Sequence, residues 1–188
     1  MALLLAVTSA AGLSLAGWHE KPPVEVQRGD LVVRRCNGLW SQYFAAVSPH
    51  EKRFTHIGIV VTNAPQAKIV HAEAHELTGI GAVCVQSWRE FFAEAVECAV
   101  FRYDGGERTA EAIAAGGMDR VGVPFDSSFD LTETNRLYCT EFVREVVNAA
   151  VGTELIGWTE VGGKRVVSLE NAYTNGFTRI FDTGKAKR

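Results

Sequence analysis

The sequence has no run of basic residues beyond its tail cluster of Lys185, Lys187 and Arg188, and its formal net charge is −3. A nucleic-acid binder shows a basic stripe, so that class is excluded. None of the four cysteines, Cys36, Cys84, Cys98 and Cys139, stands in a CxxC pair. That spacing excludes a zinc ribbon, and four cysteines in 188 residues do not make a disulfide scaffold. No apolar run reaches the roughly 20 residues of a membrane span. Internal repeats and low-complexity stretches are also missing. What remains is ordinary globular composition, 47% apolar and 22% charged, in a chain long enough to bury a core without metal or disulfide support.

Residues Met1 to Gly17 carry no charge. They read as an apolar leader, with Ser14-Leu15-Ala16 as a small-x-small cleavage site. No Lys or Arg precedes the run. Leu15-Ala16-Gly17 is also similar to the start of a bacterial lipoprotein signal, but Trp18 stands where the lipidated Cys would be. The leader points to a periplasmic or secreted protein, and it is the only route to a membrane. The alternative is an apolar helix packed on a cytoplasmic domain. Lys21-Pro22-Pro23 separates this leader from one domain over residues 24–188.

Within that domain the pattern is α+β, a small antiparallel sheet or half-barrel with helices on one side. Strands are expected at Leu31–Arg34, Thr55–Thr62, Ala67–Ala74, Gly81–Val85 and Val96–Tyr103. Asn63 to Gln66 reads as a hairpin turn. A short helix spans Gly38–Val47. Ser87 and Glu90 form a capping box for another, Trp88–Ala95. A third, Thr109–Ala115, is expected to stop at Gly116-Gly117. The clearest helix is Cys139–Ala150, with Phe142, Val143, Val146, Val147 and Ala150 in one stripe and Gly152 as its end. Arg165 to Phe181 carries one more strand and a short helix.

Cys139 falls in the first turn of that helix, where unpaired N–H groups and the dipole favour a thiolate. That makes it a candidate nucleophile. Read alone, it is more simply a small core residue. If Thr62 pairs with Ala67 across the hairpin, His56 lies opposite Glu73 on the same face. A slip of two would bring His71 or His75 there instead; a slip of one would turn His56 away. An imidazole beside a carboxylate is what a general base needs, because the carboxylate fixes its tautomer. A metal reading competes: His71, Glu73 and His75 alternate along one strand and with His56 make a zinc-type set. Their spacing differs from the helical His pairs of zinc hydrolases.

The ordered set Gly29-Asp30, Phe54-Thr55-His56-Ile57-Gly58-Ile59-Val60, Glu73-Ala74, Gly122-Val123-Pro124-Phe125-Asp126 with Phe129, and Tyr138-Cys139-Thr140-Glu141-Phe142-Val143 resembles the permuted papain-like amidases of the YiiX/YebB group, in the NlpC-like superfamily. The resemblance runs from about Gly29 to Ala150. It implies a permuted papain-like fold, with the histidine strand ahead of the nucleophile helix. It also implies Cys139 as nucleophile, His56 as base and Glu73 as the group orienting it, with no metal or organic cofactor. Two departures stand out: Thr140 where the group often has Ser, and Phe125 where Tyr is common.

The implied activity is hydrolysis of an amide or ester through a thioester on Cys139. The substrate is a small molecule, peptide or lipid, since the superfamily divides between cell-wall peptides and lipid acyl groups. Three alternatives remain: an acyltransferase using the same Cys and His, a binding module of the same fold, and a metal hydrolase. Tyr138, Phe125 and Trp40 are candidate substrate contacts, with Trp40, Tyr43, Phe44, Phe125 and Phe129 as walls of an acyl pocket. Tyr138, Arg34 and Asp30 are candidate neighbours of the oxyanion, and Glu141 reads as structural. Cys84 and Cys98 read as core residues able to pair in an exported protein.

Overall fold

The structure is a computed structural model. It describes residues 17–184 apart from Gly38 and Thr134, and the side chains of Leu39, Trp40, Ser41 and Tyr43 are also outside the description. The leader therefore lies outside the described residues, Gly17 excepted. No helix among the described residues is long and apolar enough to cross a membrane.

The chain runs β1 (Leu31–Arg35), α1 (Leu39–Val47), β2 (His56–Thr62), β3 (Lys68–Ala74), β4 (Gly81–Ser87), α2 (Trp88–Phe92), β5 (Glu97–Tyr103), α3 (Glu107–Met118) and α4 (Cys139–Val151). It continues through β6 (Thr159–Val161), β7 (Lys164–Val166), α5 (Leu169–Tyr173) and β8 (Phe177–Asp182). Six strands form one sheet in the order β4-β3-β2-β1-β5-β8, and β6 and β7 form a separate hairpin. All strand pairs are antiparallel.

Alternation along each strand sends residues to opposite faces, and both faces are covered. One core holds Ile57, Ile59, Val70 and Ala72 with Ile113 of α3 and Phe142, Val143 and Val147 of α4. The other holds Val32, Val60, Ile69 and Val100 with Trp88, Phe91 and Phe92 of α2. The sequence reading placed the helices on one side. The second layer is short, a single capped turn after β4, but its three aromatics give it the area to seal the other face. Ser87 caps α2 as expected, with Glu90 reaching back to its N–H. Trp18, ahead of the Lys21-Pro22-Pro23 step, is buried in this second core. Its carbonyl accepts from Trp88 Nε1 at 2.7 Å.

α3 does not stop at Gly116-Gly117 but runs through both to Met118. Gly117 serves packing: a Cβ there would meet Val70 Cγ1 at 2.8 Å. It lets the helix approach the sheet. α4 does end at Gly152, with φ 78°. Cys84 on β4 and Cys98 on β5 are free, with β3, β2 and β1 between their strands. Four inter-strand steps put them roughly 19 Å apart, so no disulfide joins them.

Candidate active site

The β2–β3 hairpin sets the site. Ile59 pairs with Val70 and Val60 with Ile69. Continued towards the strand ends, this register sets His56 beside Glu73, as the turn predicted. At the turn itself a bulge pairs Thr62 with Lys68 rather than Ala67, so the expected register holds inside the hairpin and slips only at its tip. On the other side of β2, His56 pairs with Arg34 of β1. The imidazole of His71 has room because Gly58 is its neighbour: a Cβ there would crowd Ile69 and lie 3.2 Å from His71 Cβ.

The side chains here form a row. His56 Nε2 lies 2.8 Å from His71 Nδ1. His71 Nε2 lies 3.7 Å from Cys84 Sγ. Glu73 does not make the His56 contact. Its Oε1 accepts from Arg34 at 2.6 Å and its Oε2 from Gln86 Nε2 at 2.9 Å. Arg34 also donates to the carbonyl of Phe91 and lies over that ring, 4.5 Å from its centroid. The two histidines flank the same ring, at 5.7 and 4.9 Å. Burial, with the Arg34 charge nearby, holds His56 well below the usual histidine range. Burial pushes His71 down to about 4 despite the opposing pull of Glu73. Both imidazoles are neutral at pH 7.

Cys139 comes from the other core. It opens α4 and is fully buried. Backbone N–H groups of Thr140, Ile57 and Cys139 itself are directed at its sulfur, yet burial outweighs them and pushes the thiol up to about 12. The helix start does not make a standing thiolate. Desolvation disfavours the charged form more than the N–H groups and dipole stabilise it. The Ile57 N–H places the sulfur one residue along the backbone from His56. Cys139, His56, Arg34 and Glu73 line one cavity of about 180 Å³, with Phe44, Phe125, Cys36, Thr55, Glu76 and Glu94 among its other walls.

Of the other sequence candidates, Phe125 and Phe44 reach this cavity. Tyr138 is fully buried, with its hydroxyl accepting from Val167 N–H at 2.9 Å, so it braces the start of α4 against the chain before α5. Phe129 packs in the core beside Tyr138. The side chains of Trp40 and Tyr43 lie outside the described residues. Asp30 is occupied elsewhere, accepting from Arg102 and from Gln27 N–H. Glu141 is buried and accepts from Tyr138 N–H at 3.4 Å. His56, His71 and Glu73 each offer a ligand atom within 4.8 Å of the others, and His75 is not part of that group. Sequence reasoning missed Gln86 and gave His71 only a fallback role. Both are joined to the site across strands, and no local spacing marks such partners.

A cysteine at a helix start, sharing a cavity with a histidine at the start of a strand earlier in the chain, is a permuted papain-like order. The model of one family, described as permuted papain-like amidase enzyme, YaeF/YiiX, C92 family, matches residues 25–171. The chain belongs to that family. Among solved structures, the crystal structure of metalloprotein yiiX from Escherichia coli O157:H7 is similar in fold. Its TM-score is 0.68 at 18% identity, and the match covers 82% of this chain and 96% of that one. No curated protein matches the sequence. Membership in the C92 family carries amidase-type hydrolysis at the level of the family.

Proposed function

We propose that this C92-family chain is a cysteine hydrolase that cleaves an amide or ester through a thioester on Cys139, with His56 as the base. The observation that carries the reading is the shared cavity, in which the Cys139 sulfur faces the Ile57 N–H next to His56. Both groups rest neutral, so the nucleophile forms only on attack. The S–H proton passes to His56 as sulfur adds to the carbonyl carbon. The Cys139 N–H at the helix start holds the developing oxyanion, and the Arg34 charge favours the transient thiolate. The C–N or C–O bond breaks, and His56 returns the proton to the leaving amine or alcohol. Water, deprotonated by His56, then cleaves the thioester and restores the thiol.

Phe44 and Phe125 offer an apolar wall to an acyl group, while Glu76 and Glu94 leave the cavity polar on another side. A cell-wall peptide or an acylated small molecule or lipid both suit such a cavity. The test is acylation by p-nitrophenyl acetate, read by intact mass and peptide mapping. One acetyl group is expected on Cys139. It should be lost in Cys139→Ser and slowed roughly 100-fold or more in His56→Ala. Acetylation that ignores His56, or that maps elsewhere, overturns the reading. Adding an amine acceptor to the trapped acetyl-enzyme separates a hydrolase from an acyltransferase, which would yield amide faster than acetate.

The similar fold of yiiX, a metalloprotein, favours a second reading. In this chain His56, His71 and Glu73 are the residues that would hold an ion, and two imidazoles with a carboxylate fit a zinc-type site. Such an ion would supply Lewis-acid polarisation of a carbonyl. Calorimetric titration of the full chain with Zn²⁺ tests it. This second reading expects one ion per chain, with binding weakened at least tenfold in Glu73→Gln. Binding unchanged in that variant would place the ion elsewhere.

A further inference from the structure

The row that ends at His56 begins at Gln86. Gln86 stands on β4, two residues beyond Cys84, which pairs with His71. Its amide nitrogen donates to Glu73 Oε2 at 2.9 Å. An ionised Glu73 can only accept, and Arg34 donates to its other oxygen. The Gln86 amide therefore cannot flip: its NH₂ faces Glu73, and Oε1 faces away. That oxygen is buried without a hydrogen-bond partner and neighbours His71. A buried acceptor of this kind calls for a donor. The proton available is one on His71 Nε2, the nitrogen that also faces the weak acceptor Cys84 Sγ.

With its proton on Nε2, neutral His71 has its lone pair on Nδ1. The 2.8 Å contact then runs in one direction, from His56 Nε2–H to His71 Nδ1. Neutral His56 is left with its lone pair on Nδ1, the nitrogen that His71 does not engage and that the proposed hydrolysis would use to take the thiol proton. The opposite assignment starts from a Cys84 S–H donated to His71 Nε2. It reverses every step and leaves His56 Nδ1 protonated and useless as a base.

We propose that Gln86, anchored by Glu73 and acting through His71, sets the tautomer in which His56 is a base. Gln86 and His71 are positioning residues, not catalytic ones. Glu73 acts on His56 through them rather than by direct contact. The tautomer stands independently of the proposed hydrolysis; only its consequence for rate rests on that reading.

The test is long-range ¹H–¹⁵N correlation on the full chain labelled at histidine nitrogen, which reads the protonated ring nitrogen directly. In the wild-type protein His56 is expected as the Nε2–H tautomer. Gln86→Met keeps the bulk of the side chain and removes the amide. It should give a mixture of His56 tautomers and slow Cys139 acetylation roughly tenfold or more. Cys84→Ala, which removes only the weak acceptor, should leave both unchanged. An Nδ1–H tautomer in the wild type, a measurement that needs no variant, overturns the proposal. So does a His56 tautomer that ignores Gln86→Met. A tautomer that shifts as expected in a protein never acetylated at Cys139 would sink the hydrolase reading and leave this proposal intact.

Discussion

Glu141 sits in the first turn of α4, buried at 3% exposure. Burial pushes its carboxyl up to about 8, against the pull of the Tyr138 N–H. The fold therefore prefers the protonated acid. Its contribution is complete below the unfolded carboxyl range, near 4.3, declines as pH rises, and is lost once pH passes about 8. Glu141→Gln keeps an acceptor for Tyr138 N–H and removes the charge. Between pH 5 and pH 9 the variant should gain on the wild type by roughly 1–3 kcal/mol, read from urea unfolding at each pH. An equal pH dependence in both proteins would show that Glu141 is ionised in the folded state. At this scale the sequence was legible where the partner is local. The apolar stripe placed Cys139 at the start of α4, and the hairpin turn set the His56–Glu73 register. The thiol's high pKa was not legible, because it comes from burial beneath a tertiary cavity. Nor was Gln86, which meets His71 and Glu73 only through strand pairing.

Among the elements, α3 shows how one residue type carries two messages. The pair Gly116-Gly117 reads locally as a helix stop, yet the helix continues because Gly117 is its contact with β3. Adding a methyl group separates the two roles. Gly117→Ala must displace Val70 Cγ1, at 2.8 Å from the new Cβ, in a filled core. It should cost about 1–3 kcal/mol. At Gly116 the nearest atom is Val146 Cγ1 at 3.4 Å. Gly116→Ala should be close to neutral, as a helix-propensity gain of roughly 0.5–1 kcal/mol offsets the tight contact. Thermal melts of the two variants check this, and equal effects would remove the packing role from Gly117. The main strands were legible to within a residue or two because each is a compact run of β-branched and apolar residues. The hairpin of β6 and β7 was not, since Thr159–Val161 and Lys164–Val166 are three residues each and too short for a period. The Cys84–Cys98 pairing failed for a related reason. Strand order is a property of the whole sheet, and β1 inserts itself beside β5 from far upstream.

In the whole molecule, the two halves of the site belong to different cores. Cys139 is fixed by α4 on one face of the sheet. The His56 and His71 rings lie against Phe91 of α2 on the other. Cys139 and His56 line one cavity because His56 is the first residue of β2, at the sheet's end. The layer carrying α2, unforeseen in the sequence, therefore walls the histidines of the candidate site. Phe91 is fully buried, supports Arg34 over its face, and accepts from that guanidinium through its carbonyl. Replacing the side chain leaves the carbonyl and removes the ring. Phe91→Leu should lower stability by about 1–2 kcal/mol and slow Cys139 acetylation, because both imidazoles lose the wall that fixes their orientation. Val143→Ala on α4, in the opposite core, gives a matched loss of stability without touching the histidines. At equal stability, the Phe91 variant should be the slower by roughly tenfold. Equal rates would mean that α2 only seals the sheet and that the hydrogen-bonded row alone holds His56.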